Sequence, residues 1–428
     1  MLSKLVFKIG QQLRNPSLQN LFFFLKTSEK WTLKELESYQ SSKLIELVTT
    51  AYEKSSYYKS KFDLLGLKPS DIKSIDDIAK LPIINKKELL HYNAEIHASS
   101  MFDKVFEANT SGTSGESLKF KREEFADSFN RASIYRGYSW YNVKPWERNG
   151  YFWGFNFDNF SKLKTKILDR LQNRFRLFSY KKEDVELFID KLKNATYLHG
   201  YSSMIYETAK LINNKKLKKP LNLKMVKGTS EKIYEAYQVE VKKAFGVKMI
   251  SEYGAAETGI IAFECPKGNM HINMEGVIVE EIDNEIVVTN LQMHSFPIIR
   301  YRLGDYIKLA AKDKKCACGM QHQIIEEVTG RTGKLVYGIQ QTYPSLYFYY
   351  IFKNLATKHS LFLTYQVIQN TKGSLLFLIE QSLNKTEIYL LENEITNYFK
   401  NDINFEIQHS QTIVGKDKKL KSFISNIE

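Results

Sequence analysis

Between residues 105 and 335, short apolar runs alternate with longer amphipathic segments, and this alternation limits the folds that the chain can adopt. Runs typical of strands lie at 151–155, 249–250 and 285–289. Segments with helical spacing of apolar residues lie between them, at 182–193, 203–213 and 230–245. A chain that alternates in this way packs a sheet against helical layers. The sequence therefore predicts an α/β or α+β fold with mixed sheets.

The segments that flank this region have other patterns. Residues 1–100 are mainly helical, and Asn85 followed by Glu88 predicts a helix start with a capping box. Residues 335–428 predict a small α+β unit, with strands near 361–369, 374–380 and 404–411 and helices near 343–356 and 385–401. We therefore expect a large N-terminal domain over 1–333 and a mobile C-terminal domain over 334–428.

The charge of the chain is strongly positive, with 62 Lys and Arg against 48 Asp and Glu and a net charge of +14. The cations cluster at 162–182 and again at 210–227. Such clusters attract nucleic acid, acidic membranes or anionic substrates, although solvated helix faces are the simpler interpretation. No zinc-finger, homeodomain or RNA-recognition pattern accompanies them, so we expect no specific nucleic-acid partner.

The N-terminal segment indicates neither a signal peptide nor a membrane span. Its longest apolar run, Leu21 to Leu25, is too short to cross a bilayer, and Lys4 and Lys8 interrupt any signal-peptide core. We expect an amphipathic helix packed on the domain, with peripheral membrane contact as the alternative. The chain has three cysteines, an odd number that fits a reducing compartment, so we expect a cytoplasmic protein.

A run of small hydroxyl residues and glycines is the sharpest local motif. It consists of Thr110, Ser111, Gly112, Thr113, Ser114 and Gly115. Glycines let a backbone approach a polyanion closely, while amides and hydroxyls donate to it, so the run fits a phosphate loop. It lacks the Walker spacing. Taken alone, a polar surface turn is the alternative.

Three later motifs accompany this loop, in a fixed order. They are 251–258 (SEYGAAET), 300–305 (RYRLGD) and 330–334 (GRTGK). The ordered set resembles the adenylate-forming enzymes, which are the acyl-CoA synthetases and their relatives. The similarity is greatest to the phenylacetate–CoA ligase-like branch, which includes proteins of capsular polysaccharide biosynthesis, and it covers essentially the whole chain. Tyr57-Tyr58, Leu81-Pro82-Ile83, 86–89 and 200–203 also match that branch.

The resemblance implies an ATP-dependent ligase that joins a carboxylic acid to AMP and then passes the acyl group to an acceptor. It implies ATP-binding roles for residues 110–115, Ser230, Glu231, Tyr253, Gly254, Asp305 and Arg331, with Asp305 on the ribose hydroxyls. Glu257 would coordinate Mg²⁺, a cation that prefers oxygen ligands. The acceptor is CoA, an amine such as an amino sugar in a glycan precursor, or a carrier thiol. A degenerate, non-catalytic nucleotide-binding protein is a further alternative.

The phosphate loop departs from the wider family at two positions. Pro and Lys usually follow the second glycine by two and three residues, where this chain has Ser117 and Leu118. Lys119 and Lys121 are the nearest cations, and either could replace the missing lysine from a shifted position.

The resemblance also assigns a hinge and a mobile lysine. Lys334 occupies the position about which the C-terminal domain of the family turns. Near the end of the chain two lysines compete for the catalytic position. Lys416 follows Gly415, as in the family, whereas Lys419 precedes the better match to the terminal strand, Lys-x-Lys-x-Phe-Ile-Ser. We favour Lys419; a solvated basic tail is the alternative.

Cys265, His271, Cys316 and Cys318 together offer a tetrahedral set of zinc ligands that uses every cysteine of the chain. Similar residues bind zinc in phenylacetate–CoA ligase-like proteins. Four protein ligands leave no open position, so a structural role is expected. His322 is an alternative fourth ligand, and three free thiols are the alternative to a metal site.

The acid is expected beside residues 251–257, in a pocket that the resemblance places against two other strands. The predicted wall consists of Trp153, Phe155, His199, Tyr201 and Ala255. Trp153 and Phe155 alternate, as residues on one sheet face do. Plain core packing is the alternative for these aromatic residues.

Overall fold

The computed structural model describes residues 2–110, 117–152, 159–177, 182–220, 222–331, 335–410, 413 and 422–427. The first hundred residues are mainly helical, as predicted. The helices are α1 (Leu2–Arg14), α2 (Leu18–Ser28), α3 (Leu33–Lys54), α4 (Ser56–Leu64), α5 (Lys86–His91) and α6 (Asn93–Ile96), with 3₁₀ turns at Pro69–Asp71, Ile75–Lys80 and Ser99–Met101. Asn85 caps α5 and forms the predicted capping box with Glu88. In the part of the chain that the structure describes, no helix is long and apolar enough to cross a membrane.

A β-hairpin follows and carries the predicted phosphate loop. Strands β1 (Val105–Asn109) and β2 (Lys119–Glu123) are antiparallel, and their last pair is Asn109 with Lys119. The loop therefore connects the two strands. Helix α7 (Glu124–Trp140) begins directly after β2.

The centre of the molecule is an 11-stranded mixed sheet. Its parallel half alternates strands and helices: β3 (Asn149–Phe152), α8 (Asn159–Leu171), β4 (Arg174–Arg176), α9 (Lys182–Leu192), β5 (Tyr197–Tyr201), α10 (Ser202–Asn214), β6 (Met225–Thr229), α11 (Glu235–Phe245) and β7 (Met249–Ala255). Its antiparallel half consists of β8 (Gly259–Glu264), β9 (Met270–Ile272), β10 (Val277–Ile282), β11 (Glu285–Asn290), β12 (Tyr301–Leu309) and β13 (Ile324–Arg331).

The strand order is β10-β11-β12-β13-β9-β8-β7-β6-β5-β3-β4. Because β5, β6 and β7 are parallel neighbours, their carboxyl ends meet at one edge of the sheet, where ligands bind in open α/β sheets. A core that includes Ile205, Val226 and Tyr237 packs α10 and α11 on one face of these strands. The mixed α/β class that the sequence predicted is confirmed.

One predicted helix begins later than expected. The pattern placed it at 230, but α11 begins at Glu235. Ser230 has a φ of 65°, which few residues other than glycine adopt and which a helix does not accommodate. The chain therefore turns at the carboxyl end of β6 before the helix starts.

The last segment has a sheet and a core of its own. Its elements are β14 (Leu335–Tyr337), β15 (Thr342–Pro344), α12 (Leu346–His359), β16 (Tyr365–Thr371), β17 (Ser374–Ile379), α13 (Lys385–Phe399), β18 (Asn404–His409) and β19 (Phe423–Ser425). The sheet order is β18-β17-β16-β19. Tyr343 lies in a strand rather than at the predicted helix start. Residues 332–334 lie outside the described residues, so the boundary at 334 stays a prediction.

Several contacts between described residues join this segment to the main body, among them an ion pair and a ring contact. Lys210 of α10 forms an ion pair with the buried carboxylate of Glu380. The ring of Tyr234 lies edge-on to the ring of Tyr365, with centroids 5.7 Å apart. The segment therefore rests on the face formed by α10 and the start of α11.

Candidate active site and metal cluster

The structure brings residues of three predicted motifs together. The Tyr253 hydroxyl donates to Asp305 Oδ2 at 2.8 Å, which joins the end of β7 to β12. The Tyr301 hydroxyl donates to Glu257 Oε1 at 3.3 Å. Asp305 also lies directly opposite Arg331 in the antiparallel register of β12 and β13. Each of the two carboxylates, Glu257 and Asp305, thus accepts a hydrogen bond from a tyrosine of the other's motif, which joins segments that lie 48 residues apart in the chain.

The turn between β7 and β8 holds Glu257 against the protein interior. Glu257 is buried, and so is the tyrosine that donates to it. A Cβ on Gly254 would lie 2.4 Å from the Gly259 carbonyl oxygen, so only glycine permits this close approach of the two strands. Gly254 therefore has a steric role in shaping the turn that carries the carboxylate.

The described residues at the base of the phosphate loop close it tightly. The Thr110 amide donates to the Leu118 carbonyl at 2.9 Å, and the Leu118 amide donates to Thr110 Oγ1 at 3.0 Å. The Ser117 hydroxyl donates to the Thr110 carbonyl at 2.6 Å. Ser117 and Leu118, the two departures from the family pattern, thus form the neck of the loop. Ser111, Gly112, Thr113, Ser114 and Gly115 lie outside the described residues.

The segment after β6 has a strained turn and a capping carboxylate. Ser230 occupies the left-handed region described above, which costs backbone energy and is often retained at functional sites. Glu231 Oε2 accepts a hydrogen bond from the Ser203 amide at 2.9 Å, in the first turn of α10. Glu231 therefore anchors the edge where the predicted adenine contacts begin.

His199 is fixed in a neutral form inside the predicted pocket. Burial, helped by the nearby Lys227, lowers its pKa well below the usual value. Its Nε2 lies 3.3 Å from Asn149 Oδ1 and its Nδ1 lies 3.4 Å from the Tyr138 hydroxyl. A neutral ring therefore donates to the asparagine and accepts from the tyrosine. Tyr151 stacks on the same ring at 4.5 Å.

A buried ion pair that the sequence patterns did not predict lies beside this histidine. Lys227 Nζ donates to Glu252 Oε2 at 2.5 Å, and the lysine is only 3% exposed. Its ammonium also lies 5.3 Å from the centre of the Tyr138 ring. The assignment of Lys227 to a solvated basic cluster was wrong. Its place between Val226 and Gly228, within an apolar strand, was the available signal.

The other predicted pocket residues are partly described. Tyr201 and Ala255 are half-buried at the carboxyl ends of β5 and β7. Trp153 and Phe155 lie outside the described residues, as do the hinge residue Lys334 and both candidate lysines, Lys416 and Lys419.

The predicted zinc ligands form a compact cluster. The ligand atoms of Cys265, His271, Cys316 and Cys318 all lie within 4.8 Å of one another. The sulfurs of Cys265 and Cys316 are 3.7 Å apart, and the Cys318 sulfur lies 3.2 Å from His271 Nε2. Tetrahedral zinc with Zn–S bonds of about 2.3 Å places two sulfurs about 3.8 Å apart. The spacing therefore fits a metal site and is far too long for a disulfide.

The surroundings orient His271 as a ligand and exclude His322. His271 Nδ1 lies 3.1 Å from the His322 carbonyl oxygen, so its proton points there and Nε2 faces the thiols. Burial lowers the pKa of His271 to about 4, which keeps the ring neutral. The His322 side chain instead contacts Glu275 Oε1 at 2.9 Å, within a buried group that includes Arg136. His271 is the fourth member of the cluster.

Comparison with known proteins places the fold. No family model matches the chain. It is 20% identical over 297 residues to Protein CapK of Staphylococcus aureus, a match that covers 64% of this chain and 63% of that protein. It is 30% identical over 102 residues to indoleacetate–lysine synthetase of Pseudomonas savastanoi, covering 22% of this chain and 25% of that enzyme. The matches span less than two thirds of these relatives' lengths.

Solved structures cover the chain more fully. A 2-hydroxyisobutyryl-CoA ligase in the postadenylation state, bound to its acyl-AMP, superposes with a TM-score of 0.73 at 15% identity, covering 93% of this chain and 91% of that one. The same ligase in the thioesterification state, with acyl-AMP and CoA, gives a TM-score of 0.61 at 16% identity, covering 92% and 91%. The chain has the fold of the adenylate-forming CoA ligases, as the sequence motifs predicted.

Proposed function

We propose that this chain, with its adenylate-forming ligase fold, activates a carboxylic acid with ATP and transfers the acyl group to a thiol or an amine. A carboxylate oxygen attacks the α-phosphorus, the bond to the β-phosphate oxygen breaks, and pyrophosphate leaves. The acceptor then attacks the acyl carbonyl, loses its proton, and AMP leaves. The two tyrosine–carboxylate hydrogen bonds that join the motif of Tyr253 and Glu257 to the motif of Asp305, beside the carboxyl end of β7, carry this proposal.

We assign the ribose, the phosphates and the magnesium ion of bound ATP to different residues. Asp305 and Arg331 face each other across β12 and β13, where an ionised carboxylate suits both ribose hydroxyls. The loop that Thr110 closes would hold the β- and γ-phosphates through its backbone amides. Glu257 offers a buried carboxylate of the kind that Mg²⁺ takes together with phosphate oxygens. Both reactants are anions, so positioning and charge neutralisation supply most of the rate.

The acceptor is proposed from two kinds of relative. The neighbouring ligase structures contain CoA, which supports a thiol acceptor. Indoleacetate–lysine synthetase is named for an amine acceptor, which supports an amine as the alternative. The motif resemblance to proteins of capsular polysaccharide biosynthesis implies an amino group on a glycan precursor as one form of that amine. Screening CoA against amines with the activated acid separates thioester formation from amide formation.

The arrangement of the C-terminal segment supports one stage of this cycle. The TM-score is higher for the postadenylation state, 0.73, than for the thioesterification state, 0.61. The contacts of Lys210 with Glu380 and of Tyr234 with Tyr365 hold the segment in this position. We infer that they break when the acceptor reaction begins.

Exchange of labelled pyrophosphate into ATP tests the proposed function. A panel of carboxylic acids should include at least one that drives exchange, and Glu257→Gln should lower that exchange by about a hundredfold or more because it removes a charge beside the phosphates. The exposed Glu406→Gln is the matched control. Exchange with none of the acids, together with no ATP binding by calorimetry, would defeat the proposal.

We further propose that the acid carries a hydroxyl group. Lys227 and Glu252 lie on β6 and β7, about 10 Å of strand below the turn at Ser230, at a rise of about 3.3 Å per residue. Lys227 has donors beyond the one that Glu252 accepts, and Glu252 has a second oxygen. A hydroxyl accepts from the lysine and donates to the glutamate, whereas an ammonium or a second carboxylate is repelled by one partner.

Replacing the ion pair should therefore change the preference among acids. Lys227→Met combined with Glu252→Gln avoids a lone buried charge, which would destabilise the fold. We expect kcat/KM for a hydroxy acid such as 3-hydroxybutyrate to fall by about 10- to 100-fold, since an unmet hydrogen bond is costly in such a site. The value for butyrate should change by less than about twofold.

Lys248→Met is the control for this variant. Lys248, just before β7, forms a similar pair with Glu264 at the end of β8, but the lysine is solvent-exposed. Lys248→Met should leave kcat/KM for both acids unchanged. A wild-type preference for unsubstituted or aromatic acids, retained in the double variant, would reject the hydroxyl proposal and leave the adenylation chemistry standing.

A further inference from the structure

Helix α1 presents its apolar side to solvent. Leu2, Leu5, Ile9 and Leu13 follow one another at spacings of three and four residues and so lie on one face. They are between 52% and 74% exposed, and no residue of the helix is buried. A helix that packs on a domain normally buries such a row. Here the row is directed outward.

The opposite side of α1 attaches the helix to the protein. The Phe7 ring lies 5.6 Å from the ring of Tyr135 and 5.5 Å from that of Trp146. The Lys4 ammonium lies 5.7 Å above Trp146. The helix therefore packs on the domain, as the sequence analysis expected, but through Phe7. These contacts hold the apolar row facing outward.

Helix α8 lies beside α1, and its apolar side chains are likewise directed to solvent. Leu163, Ile167, Leu168 and Leu171 are between 43% and 59% exposed. The inward residue is Asp169, which is buried and accepts from Arg174 and Arg176 at 2.7 Å each. Because α1 and α8 are in contact, we treat their two exposed apolar rows as one surface, which we call the α1–α8 face. Exposed apolar patches of this kind mark interaction surfaces.

The charge of the α1–α8 face has one sign. Helix α1 contains no acidic residue, and the one acidic residue of α8 is the buried Asp169. The exposed cations at its margins are Lys8, Arg14, Lys164 and Arg170. An apolar row bordered by cations is the pattern of helices that lie in the interface of an anionic bilayer.

We propose that the α1–α8 face binds the surface of a membrane rich in anionic phospholipid. Its leucine and isoleucine side chains enter the boundary between headgroups and acyl chains, and its lysines and arginines contact lipid phosphates. This assigns a role to the cations near residues 162–170, which the proposed ligase reaction does not use. It is independent of that reaction and places the active site next to a bilayer.

Vesicle co-sedimentation of the full chain tests the proposal. Vesicles of phosphatidylcholine with one third phosphatidylglycerol should bind the protein at least about tenfold more tightly than phosphatidylcholine alone, with weaker binding at high salt. Ile9→Ser with Ile167→Ser should reduce the binding at least about tenfold. Lys8→Gln with Lys164→Gln should reduce binding to the anionic vesicles alone.

The controls replace apolar residues that are equally exposed elsewhere. Leu64→Ser with Val239→Ser, on α4 and α11, should bind as the wild type does. Circular dichroism and thermal melting establish that each variant is folded. Absence of vesicle binding, or equal binding by the Ile9/Ile167 variant, would overturn the proposal. Self-association in sedimentation velocity that the same variant abolishes, without vesicle binding, would assign the face to a second copy of the chain.

Discussion

Replacement of Cys316 by serine should release bound zinc and lower the melting temperature by about 10 °C. Cys316 lies at the centre of the four-residue cluster, with its sulfur 3.7 Å from Cys265 Sγ and 3.2 Å from the Asn269 amide nitrogen. Structural zinc sites contribute on the order of 10 kcal/mol, of which losing one thiolate removes a large part. For a chain of this length, 1 kcal/mol shifts the melting temperature by about 1 °C.

The loss of zinc should destabilise the fold and leave the catalytic chemistry intact. The cluster joins the turn after β8 to the loop between β12 and β13, so a metal bound there would tie together strands in the antiparallel half of the sheet. Four protein ligands leave no position for a substrate. We therefore expect a folded fraction of Cys316→Ser, isolated at low temperature, to retain ATP–pyrophosphate exchange.

Metal analysis and calorimetry of purified protein check this prediction. The wild type should contain close to one zinc per chain after growth in zinc-supplemented medium, and Cys316→Ser and His271→Asn should contain far less. His409→Asn, which changes an exposed histidine in the C-terminal sheet, is the control. Wild-type protein without zinc, or variants that melt with the wild type, would contradict a structural metal site.

The parts of the fold and site that the sequence predicted share one property: local chemistry determines them. The Asn85–Glu88 capping box depends on two residues three positions apart, and the connection between β1 and β2 on a run of small residues, whose binding of phosphate stays a prediction. The joining of Tyr253 with Asp305 was expected only through the ordered motifs, because no local rule brings β7 to β12. The order of the motifs along the chain was the sequence signal that predicted this long-range contact.

The parts that the sequence did not predict depend on which side of an element faces the protein. Periodicity identified α1 as amphipathic, but the aromatic contacts of Phe7 decide that its apolar row faces outward. Composition counted Lys227 among the surface cations, whereas the pairing with Glu252 on the next strand decides that it is buried. Both outcomes depend on partners that are distant or unknown when the chain is read residue by residue.

Replacement of Lys419 by alanine should lower adenylation by two to four orders of magnitude while the protein remains folded. A lysine delivered to the substrate carboxylate and the α-phosphate neutralises charge that develops in the transition state, and losing such a group costs about 10²- to 10³-fold or more. The strand that follows is part of the C-terminal sheet. Phe423 of β19 is buried and pairs with Val367 of β16, which fixes the chain four residues after Lys419.

Lys416→Ala is the comparison that decides between the two lysines. It removes the same charge from the same segment, so a general loss of positive charge affects both variants equally. If Lys419 is the catalytic residue, Lys416→Ala should retain exchange within about tenfold of the wild type. The reverse result would move the role to Lys416, and two unaffected variants would identify the segment as a solvated basic tail.

A second measurement separates a catalytic lysine from a merely structural one. Because the lysine acts on the carboxylate and the α-phosphate, its loss should affect formation of the acyl-AMP and not the later transfer. Lys419→Ala supplied with synthetic acyl-AMP should therefore form the acyl product at close to the wild-type rate. A variant whose C-terminal core had loosened, through the contacts of Phe423, would instead lose both half-reactions and melt at a lower temperature. Measuring both half-reactions thus separates the two explanations, because only a charge used in the first half-reaction can be lost without affecting the second.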